Sequence, residues 1–375
     1  MILWSRVKTF TVICLLWVGA LALAGEQLAG MTRVASEDII VQTCRDQAYT
    51  LKITKMLATL QREFCQRFQA TTISGRFENI IFKDKSDYHS YCVSRKIANF
   101  PDRGAYFSAQ KAVLLYFEGQ PEEVLQRNLI HEVTHHFTRI VYGVMPTWFE
   151  EGVAMYFQES DYNRSPVILG VVDQQISGNV KGALEQKRLL SVDALLKLEY
   201  KAYHVSDIGR ERLHYDQSWA LVHFFVHASE KLKPADATGR ARVAAYRPKF
   251  LNFMAEARKT RTKPEVSWKK TMGDLPMESL EKDFQEYVHL LPGELIDPNL
   301  LVNKWPNGKK KFEGELKDNR VNGKVTYWYE NGQMQSTGTM RDGQWHGIIT
   351  FWTKNGKLME TLEYYNGQQV ENVVP

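Results

Sequence analysis

The chain has 375 residues, of which 44% are hydrophobic and 24% are charged, and its formal net charge at pH 7 is +5. This length is enough for two or three compact domains, and the composition excludes a disordered or fibrous protein. The charge is too small to indicate a nucleic-acid partner, and the longest basic run, Lys309–Lys311, is typical of a solvated turn or strand edge.

The first 24 residues have the pattern of a secretory signal peptide. Arg6 and Lys8 form a positive start, an apolar stretch continues to Leu21, and Ala22–Ala24 supplies an A-x-A cleavage site. Removal of this leader leaves a formal charge of +3. The pattern predicts a secreted or periplasmic protein of the cell envelope. The alternative is an uncleaved leader, which would anchor the chain in a membrane.

Residues 25–120 predict an N-terminal α+β part. Ser36–Gln69 has the pattern of one long amphipathic helix, whereas Phe77–Phe82 and Lys111–Phe117 have the pattern of strands.

Three cysteines follow the leader, so at most one disulfide can form within the chain. In a straight helix over Ser36–Gln69, Cys44 and Cys65 would lie about 31 Å apart and could not pair. Any intramolecular disulfide must therefore include Cys92, and the sequence leaves its partner open.

The segment His131-Glu132-Val133-Thr134-His135 is the most informative of the chain. Pro121–Tyr142 predicts a helix, with acidic residues in its first turn and Gly143 as a cap at its end. HExxH on a helix places two imidazoles on one face with a carboxylate beside them, which is a signature of zinc hydrolases. A catalytic zinc needs a third protein ligand, because two histidines leave its coordination incomplete.

The third ligand is expected in a second helix, predicted from Pro146 to about Phe157. Its Trp-x-x-Glu-Gly-x-Ala segment, Trp148–Ala154, follows HExxH within about twenty residues. The two motifs together resemble the gluzincins, the thermolysin-related zinc metallopeptidases, and most closely the bacterial peptidase MA-like group. By this resemblance Glu151, the Glu before the Gly, is the third zinc ligand, and Glu150 is a supporting or solvent-facing acid.

The resemblance covers roughly residues 75–290 and implies an α+β fold of the zincin type. A mixed sheet and the HExxH helix would be followed by a mainly helical part, which completes the unit over residues 121–291. In gluzincins an extended peptide pairs with the sheet edge before the HExxH helix, and Gly104–Phe107 occupies the corresponding position. The Gly-x-Met-Glu-Asn element of gluzincin aminopeptidases is missing, so an aminopeptidase activity is not expected.

Tyr215–Val222 resembles the downstream helix of gluzincins, in which a tyrosine at the helix start points into the site. Tyr215 would then stabilise the oxyanion that forms during attack on a carbonyl. Asp216, next to it, is interpreted as an acid at the N-terminus of that helix. Further helices are predicted at Ser191–Leu198, Tyr215–Lys231, Arg247–Arg258 and Met277–Leu290.

The resulting hypothesis is a Zn²⁺-dependent peptidase that acts on a peptide or protein. His131, His135 and Glu151 would hold the zinc, and Glu132 would be the general base. Two alternatives stay open: a catalytically inactive zincin that acts as an extracytoplasmic binding or scaffold protein, and a zinc hydrolase of a non-peptide amide.

Other histidines are weaker candidates. His223 and His227 also have i, i+4 spacing, but apolar and aromatic neighbours favour core histidines over a second metal pair. His136 lies about 100° around the helix from His135, so it is expected to support the site or to lie on the surface.

The end of the chain has a different character. Residues 292–305 predict a linker, and residues 306–375 contain a 24-residue repeat marked by Asn307–Gly308, Asn331–Gly332 and Asn355–Gly356. Aromatic and polar residues alternate between these pairs, which predicts a small all-β meander of hairpins with positive φ at the turns. The repeats resemble the MORN-like repeats of antitoxin-type bacterial proteins.

Trp328 and Trp352 hold equivalent positions in successive repeats. They are interpreted as stacked core residues rather than as a ligand platform, since repeats bury their faces against their neighbours. No chemistry is assigned to the repeats, which are the expected contact for a protein partner.

Overall fold

The fold is given by a computed structural model of the chain. The structure describes residues 27–36, 38–70, 73, 75–98, 100–101, 104–162, 164, 166–205, 208–261, 263–293, 300–305, 307–317 and 320–370. The predicted signal peptide lies outside the described residues. The chain divides into one compact unit of residues 1–62 and 72–120 and a second of residues 63–71 and 121–375.

The first unit is built on a five-stranded mixed sheet. Its elements in chain order are β1 (Thr32–Ser36), β2 (Ile39–Thr43), most of α1 (Gln47–Phe68), β3 (Phe77–Phe82), α2 (Lys85–Ser94), β4 (Ala105–Phe107) and β5 (Ala112–Tyr116). The strand order is β1-β2-β3-β5-β4, with parallel pairing in the centre and antiparallel pairing at both edges. Every residue of β2 and β3 is buried, as expected for parallel strands covered on both faces.

The prediction of one helix over Ser36–Gln69 was wrong at its N-terminal end. The run Ile39-Ile40-Val41 lies in β2, and α1 begins only at Gln47. Consecutive β-branched residues favour an extended strand because their χ1 angles are restricted in a helix. Cys44 therefore lies before α1, and no disulfide joins any two of the described cysteines Cys44, Cys65 and Cys92.

The second unit begins with nine helices among its described residues. They are α3 (Glu122–Tyr142), α4 (Thr147–Gln158), α5 (Gln174–Glu185), α6 (Val192–Leu196), α7 (Tyr200–Tyr203), α8 (Ile208–Lys231), α9 (Ala237–Thr260), α10 (Pro264–Met272) and α11 (Met277–Leu290). Aromatic rings fill the space between them, including a stacked pair, Phe225 and Phe250, with centroids 5.0 Å apart. A search of the described residues finds no helix with the length and apolarity that crossing a membrane requires.

Two helices of this unit begin earlier than predicted. The helix predicted from Arg247 begins at Ala237, because Pro248 lies inside α9 rather than at its start. Val243, Tyr246 and Phe250 bury one face across this proline, so packing outweighs the lost backbone hydrogen bond. The other early start, that of α8, bears on the candidate site. Three further helices of this unit, α5, α7 and α10, were not predicted.

The second unit ends in an antiparallel sheet. Its strands are β6 (Leu300–Lys304), β7 (Lys310–Lys317), β8 (Arg320–Trp328), β9 (Met334–Arg341), β10 (Gln344–Trp345), β11 (Gly347–Trp352), β12 (Leu358–Tyr365) and β13 (Gln368–Gln369). The order β13-β12-β11-β9-β8-β7-β6 is a meander, with β10 paired to β9. The α+β class, with a mixed sheet, an HExxH helix, a helical part and a β meander, is thus confirmed. Within the segment predicted as a linker, Leu300–Lys304 is a strand of this sheet.

Hydrogen bonds between side chains and backbone repeat across the meander. The asparagine amide of one loop donates to a carbonyl in the next, in the pairs Asn307–Glu330 (2.9 Å) and Asn331–Lys354 (2.7 Å). Aromatic side chains donate in the same way, in the pairs Trp305–Trp328 (3.0 Å) and Tyr329–Trp352 (2.9 Å). The 24-residue period of the sequence is therefore a period of the structure.

Two kinds of turn alternate in this sheet. In Asn307–Gly308 and its two equivalents only the glycine has positive φ, and the loop closes with a hydrogen bond from Gly308 N to Trp305 O. In Asp342–Gly343 and Asn366–Gly367 both residues have positive φ, as two-residue hairpin turns require. The two-residue turns are therefore at Asp342–Gly343 and Asn366–Gly367, and not at the Asn-Gly pairs that mark the repeat in the sequence.

The interpretation of Trp328 and Trp352 as core residues was wrong. Both side chains are only partly buried. The apolar side chains that are buried in the described part of this sheet are all smaller than tryptophan: Phe312, Val325 and Ile349. The ammonium group of Lys310 lies 5.7 Å from the Trp328 ring centroid, on a face that a core residue would not expose. An antiparallel sheet can leave one face open to solvent, so indole rings on it need not be enclosed.

Candidate metal centre

Helix α3 supplies two histidines to the candidate site. Its apolar residues, including Leu129 and Val133, are buried on one face, which fixes the rotation of the helix. His131 and His135 are one turn apart, with ring centroids separated by 4.8 Å and side chains 14% and 17% exposed. HExxH therefore presents two imidazoles side by side in a largely buried position.

Helix α4 returns the third side chain to the histidines. Gly143 ends α3 with φ of 81°, and a Cβ there would lie 2.5 Å from the carbonyl oxygen of Arg261. After this turn, α4 begins behind Pro146 and carries Glu151 toward α3. The next residue, Gly152, allows close packing on α8, since a Cβ there would lie 2.5 Å from Ser218 O. The glycine that follows the ligand in the motif thus has a packing role.

The three predicted ligands come together. Glu151 Oε2 lies 3.3 Å from His131 Nε2 and 3.5 Å from His135 Nε2, and the three ligand atoms are all within 4.8 Å of one another. A tetrahedral zinc with bonds of about 2.0–2.1 Å would separate its ligand atoms by roughly 3.4 Å. The two distances from Glu151 are close to this value, so His131, His135 and Glu151 could hold a metal ion together.

The electrostatics of the group also suit a cation. Burial alone would lower the pKa of His135, but the Glu151 carboxylate outweighs it and raises that pKa to about 9. Burial alone would raise the pKa of Glu151, whereas the two imidazoles hold it well below its usual range. Glu151 Oε2 is buried without a hydrogen-bond donor among the described residues. An anionic oxygen in such a place is stable only beside positive charge, which a metal ion supplies.

Glu150 does not belong to the group. Its Oε1 accepts a hydrogen bond from Met145 N at 3.3 Å and lies 4.0 Å from Arg139 Nη1. His136 is buried and is likewise outside the group. Choosing Glu151 rather than Glu150 as the ligand is consistent with these contacts.

Tyr215 and Glu132 lie within electrostatic range of the ligands. Burial raises the pKa of Tyr215 well above its usual range, and the charges of Glu151, Glu211 and Glu132 raise it further. Glu132 also raises the pKa of His135. Tyr215 therefore keeps its phenolic proton near neutral pH. Their catalytic roles stay predictions.

The prediction that Tyr215 lies at a helix start was wrong, because α8 begins at Ile208, two turns before Tyr215. Asp216 is for the same reason not a helix N-terminal acid. It is buried, accepts a hydrogen bond from Asn179 Nδ2 at 2.8 Å and lies 3.7 Å from Arg212 Nε. Burial raises the pKa of Asp216 to about 6.

The competing pair, His223 and His227, has its ring nitrogens occupied by protein atoms. The contacts are His223 Nδ1 to Tyr287 OH (2.6 Å), His223 Nε2 to Gly170 O (3.0 Å), His227 Nδ1 to Glu230 Oε2 (2.8 Å) and His227 Nε2 to Tyr156 OH (3.0 Å). Burial, followed by the charge of His227, lowers the pKa of His223 to about 3. Both residues are therefore histidines that bond within the protein interior, as the sequence favoured, rather than a second metal pair.

Two side chains at the site were not predicted from the sequence. Gln158 Oε1 lies 2.9 Å from His131 Nδ1, and His204 Nδ1 lies 3.5 Å from Tyr215 OH and 3.1 Å from Glu211 Oε1. Gln158 follows Glu151 by two helical turns on α4, so helical spacing could have shown that they share a face. No comparable signal exists for His204, which precedes α8.

Comparisons with known proteins give one family model and a remote structural likeness. The family model, described as a protein of unknown function (DUF1570), matches residues 128–233, a range that contains the three predicted ligands and Tyr215. The chain is similar to the crystal structure of an aminopeptidase N family protein from Idiomarina loihiensis, with 11% identity and a TM-score of 0.42, over 91% of this chain and 68% of that one. The comparison with curated proteins gives no match.

Proposed function

We propose that this chain is a zinc-dependent hydrolase of peptide bonds. The observation that carries the proposal is the His131–His135–Glu151 group, in which both distances from Glu151 to the imidazoles are close to those in tetrahedral zinc sites. Glu132 follows His131 directly in the sequence. Zinc bound there would lower the pKa of a water molecule and polarise a substrate carbonyl. Three nitrogen or oxygen ligands leave a fourth position open, as in catalytic rather than structural zinc sites.

The protein side chains would supply the remaining chemistry. Glu132 would take a proton from the attacking water and deliver it to the leaving nitrogen. Tyr215, which stays protonated because it is buried among carboxylates, would donate a hydrogen bond to the carbonyl oxygen as negative charge develops. The sequence lacks the amine-binding element of gluzincin aminopeptidases, so we expect cleavage within a chain rather than at its amino end.

We propose further that the enzyme acts outside the cytoplasm, in the periplasm or as a secreted protein. The support is the signal-peptide pattern of residues 1–24. The substrate would be a peptide or protein, and the β-repeat sheet would be the surface for a protein partner. We also propose that the repeats of this sheet are of the MORN-like kind, which their 24-residue period supports.

The test compares zinc content and cleavage of a mixed-peptide library for wild type and Glu132→Gln. We expect about one zinc in each and chelator-sensitive cleavage in the wild type alone, because the amide cannot act as a base. His135→Ala should lose the metal, since two ligands remain.

Glu150→Gln is the matched control, because it changes the adjacent acid without touching the group. It should keep both zinc and cleavage. Full cleavage by Glu132→Gln would remove Glu132 from the base role. Zinc without any cleavage in the wild type would favour a non-peptide amide or an inactive zincin that acts as a scaffold, and no zinc would favour the scaffold alone.

A further inference from the structure

The His131 ring makes contacts at both of its nitrogens. Nε2 lies 3.3 Å from Glu151 Oε2, on the side where a metal ion would bind. Nδ1 lies 2.9 Å from Gln158 Oε1. In a neutral imidazole only one ring nitrogen carries a proton. If the atom that hydrogen-bonds to Nδ1 is an acceptor, the proton is on Nδ1 and Nε2 has a free lone pair.

Contacts of its amide nitrogen fix the orientation of the Gln158 amide. Its Nε2 lies 2.8 Å from Glu159 Oε1, and the guanidinium of Arg127 donates to the same oxygen. Arginine has only donors, so Glu159 Oε1 must act as an acceptor there, and the amide nitrogen must face it. The amide oxygen is then the atom that faces His131.

This orientation determines the tautomer of His131. An amide oxygen only accepts hydrogen bonds, so His131 must donate from Nδ1, and Nε2 keeps the lone pair that a metal ligand needs. The carboxyl of Glu159 is buried, with a side chain 4% exposed, so few water molecules compete for the amide. One helix, α4, thus carries both the ligand Glu151 and the side chain that orients the ligand His131.

We propose that Gln158 is a positioning residue of the metal centre, held by Glu159 and Arg127, which fixes the tautomer and orientation of His131. Groups that hold the outer nitrogen of a ligating histidine contribute roughly 10- to 100-fold to metal affinity. The inference rests on the proposed function only in requiring that the three side chains bind zinc, and hydrolysis is not part of it.

The test measures Zn²⁺ affinity of the full-length protein by competition with a chromophoric chelator. Gln158→Leu keeps the size of the side chain but removes the acceptor, so we expect zinc affinity to fall roughly 10- to 100-fold. Gln126→Leu is the matched control on α3, because the Gln126 amide donates to Glu122 Oε1 at 2.7 Å and not to a histidine of the group. The zinc affinity of this variant should equal that of the wild type.

A double variant, Gln158→Glu with Glu159→Gln, exchanges the amide and the carboxyl. It keeps an acceptor for His131 Nδ1 and a donor behind it, so affinity should return to within a few-fold of wild type. The visible absorption of the Co²⁺-loaded protein should change in Gln158→Leu and revert in the double variant. This variant also keeps the test decisive should Gln158→Leu fail to fold.

A purely structural role for Gln158 predicts a different pattern. The metal-free protein would melt at a lower temperature in Gln158→Leu, while zinc affinity and the Co²⁺ spectrum would stay as in the wild type. That result, or a double variant that folds but binds zinc no better than Gln158→Leu, would overturn the inference. A wild type that binds zinc but cleaves nothing would contradict the proposed hydrolysis. The role of Gln158 would still be decided by comparing the zinc affinities of the wild type, Gln158→Leu and the double variant.

Discussion

Adjacent carboxyl groups on α4 have opposite surroundings. Glu150 is partly buried beside the α3–α4 turn, and this burial raises its pKa. Glu151 is more fully buried, but the two imidazoles hold its pKa well below the usual range. The sequence motif favoured Glu151 over Glu150, whereas the contacts that distinguish the two side chains depend on the path of the chain between α3 and α4. The motif could not indicate Gln158 or His204, because neither residue type at those positions is specific to a metal site.

At the same scale, Tyr215→Phe removes the proposed donor to the oxyanion. We expect kcat to fall by roughly 100- to 1000-fold with zinc retained, as for the loss of other oxyanion donors. Steady-state kinetics and zinc analysis provide the measurement. Tyr200→Phe is the control, because Tyr200 is 68% exposed and should not affect turnover. Equal kcat values for wild type and Tyr215→Phe would exclude the role.

Glu159 should make stability depend on pH. Burial raises its folded-state pKa to about 7 from an unfolded value of 4.5. The folded state therefore binds the proton more tightly, and the stability linked to this group is complete below pH 4.5 and is lost as pH rises through about 7.

Glu159→Gln removes this dependence. The free energy of unfolding of the variant, relative to wild type, should rise by about 2 kcal/mol between pH 5 and pH 8. Denaturant unfolding with a chelator present measures it. Glu185→Gln is the control, since that carboxyl is 54% exposed. A pH-independent difference for Glu159→Gln would contradict the prediction.

At the scale of elements, the helices with strong periodicity and clear ends were predicted well. The bounds of α3 and α11 agree with the sequence within one residue, since prolines and glycines mark their ends. The errors came where local preference and packing disagree. Pro248 indicated a helix start but lies within α9, and the apolar run of β2 was taken for a helix. Helix α5 was missed because its glycines weaken the helical pattern that burial restores.

The close crossing of α4 and α8 gives a prediction about Gly152. A methyl group there would meet Ser218 O at 2.5 Å and Val222 Cγ2 at 2.8 Å, and the backbone atom cannot move cheaply. Gly152→Ala should lower the free energy of unfolding by about 1–3 kcal/mol, as overpacking does. It should also weaken zinc binding, because Glu151 is the preceding residue. Denaturant unfolding and chelator competition measure the two effects, and a variant as stable as the wild type would contradict them.

At the scale of the whole molecule, the repeat sheet is joined to the helices within the second unit. Gln175 of α5 donates to the backbone of β6 at Val302, and Arg212 of α8 donates to Asn303 Oδ1 at 2.6 Å. The sequence predicted the period and class of the sheet, because short repeats with turn residues leave a clear pattern. It could not predict these contacts, which join residues about 90 to 130 positions apart.

Arg212 reaches both the sheet and the buried Asp216. Arg212→Met should lower the free energy of unfolding by about 1–3 kcal/mol, because it removes the cation beside a carboxyl that is 3% exposed. Lys197→Met is the control: its ion pair with Asp193 is on the surface, where such pairs contribute about 0–1 kcal/mol. Equal effects of the two changes in thermal unfolding would contradict the stabilising role of Arg212 beside Asp216.

The regular hydrogen bonds between loops make the β sheet extensible. Each loop asparagine finds its acceptor 23 residues later, so a duplicated copy of residues 331–354 would offer matching donors and acceptors on both sides. Every copy adds two strands, or about 10 Å of width, without altering β6 and its contacts with the helices. The distance between the His131–His135–Glu151 group and anything bound at the far edge of the sheet can thus change in uniform steps by gene duplication, while the helices that carry this group stay as they are.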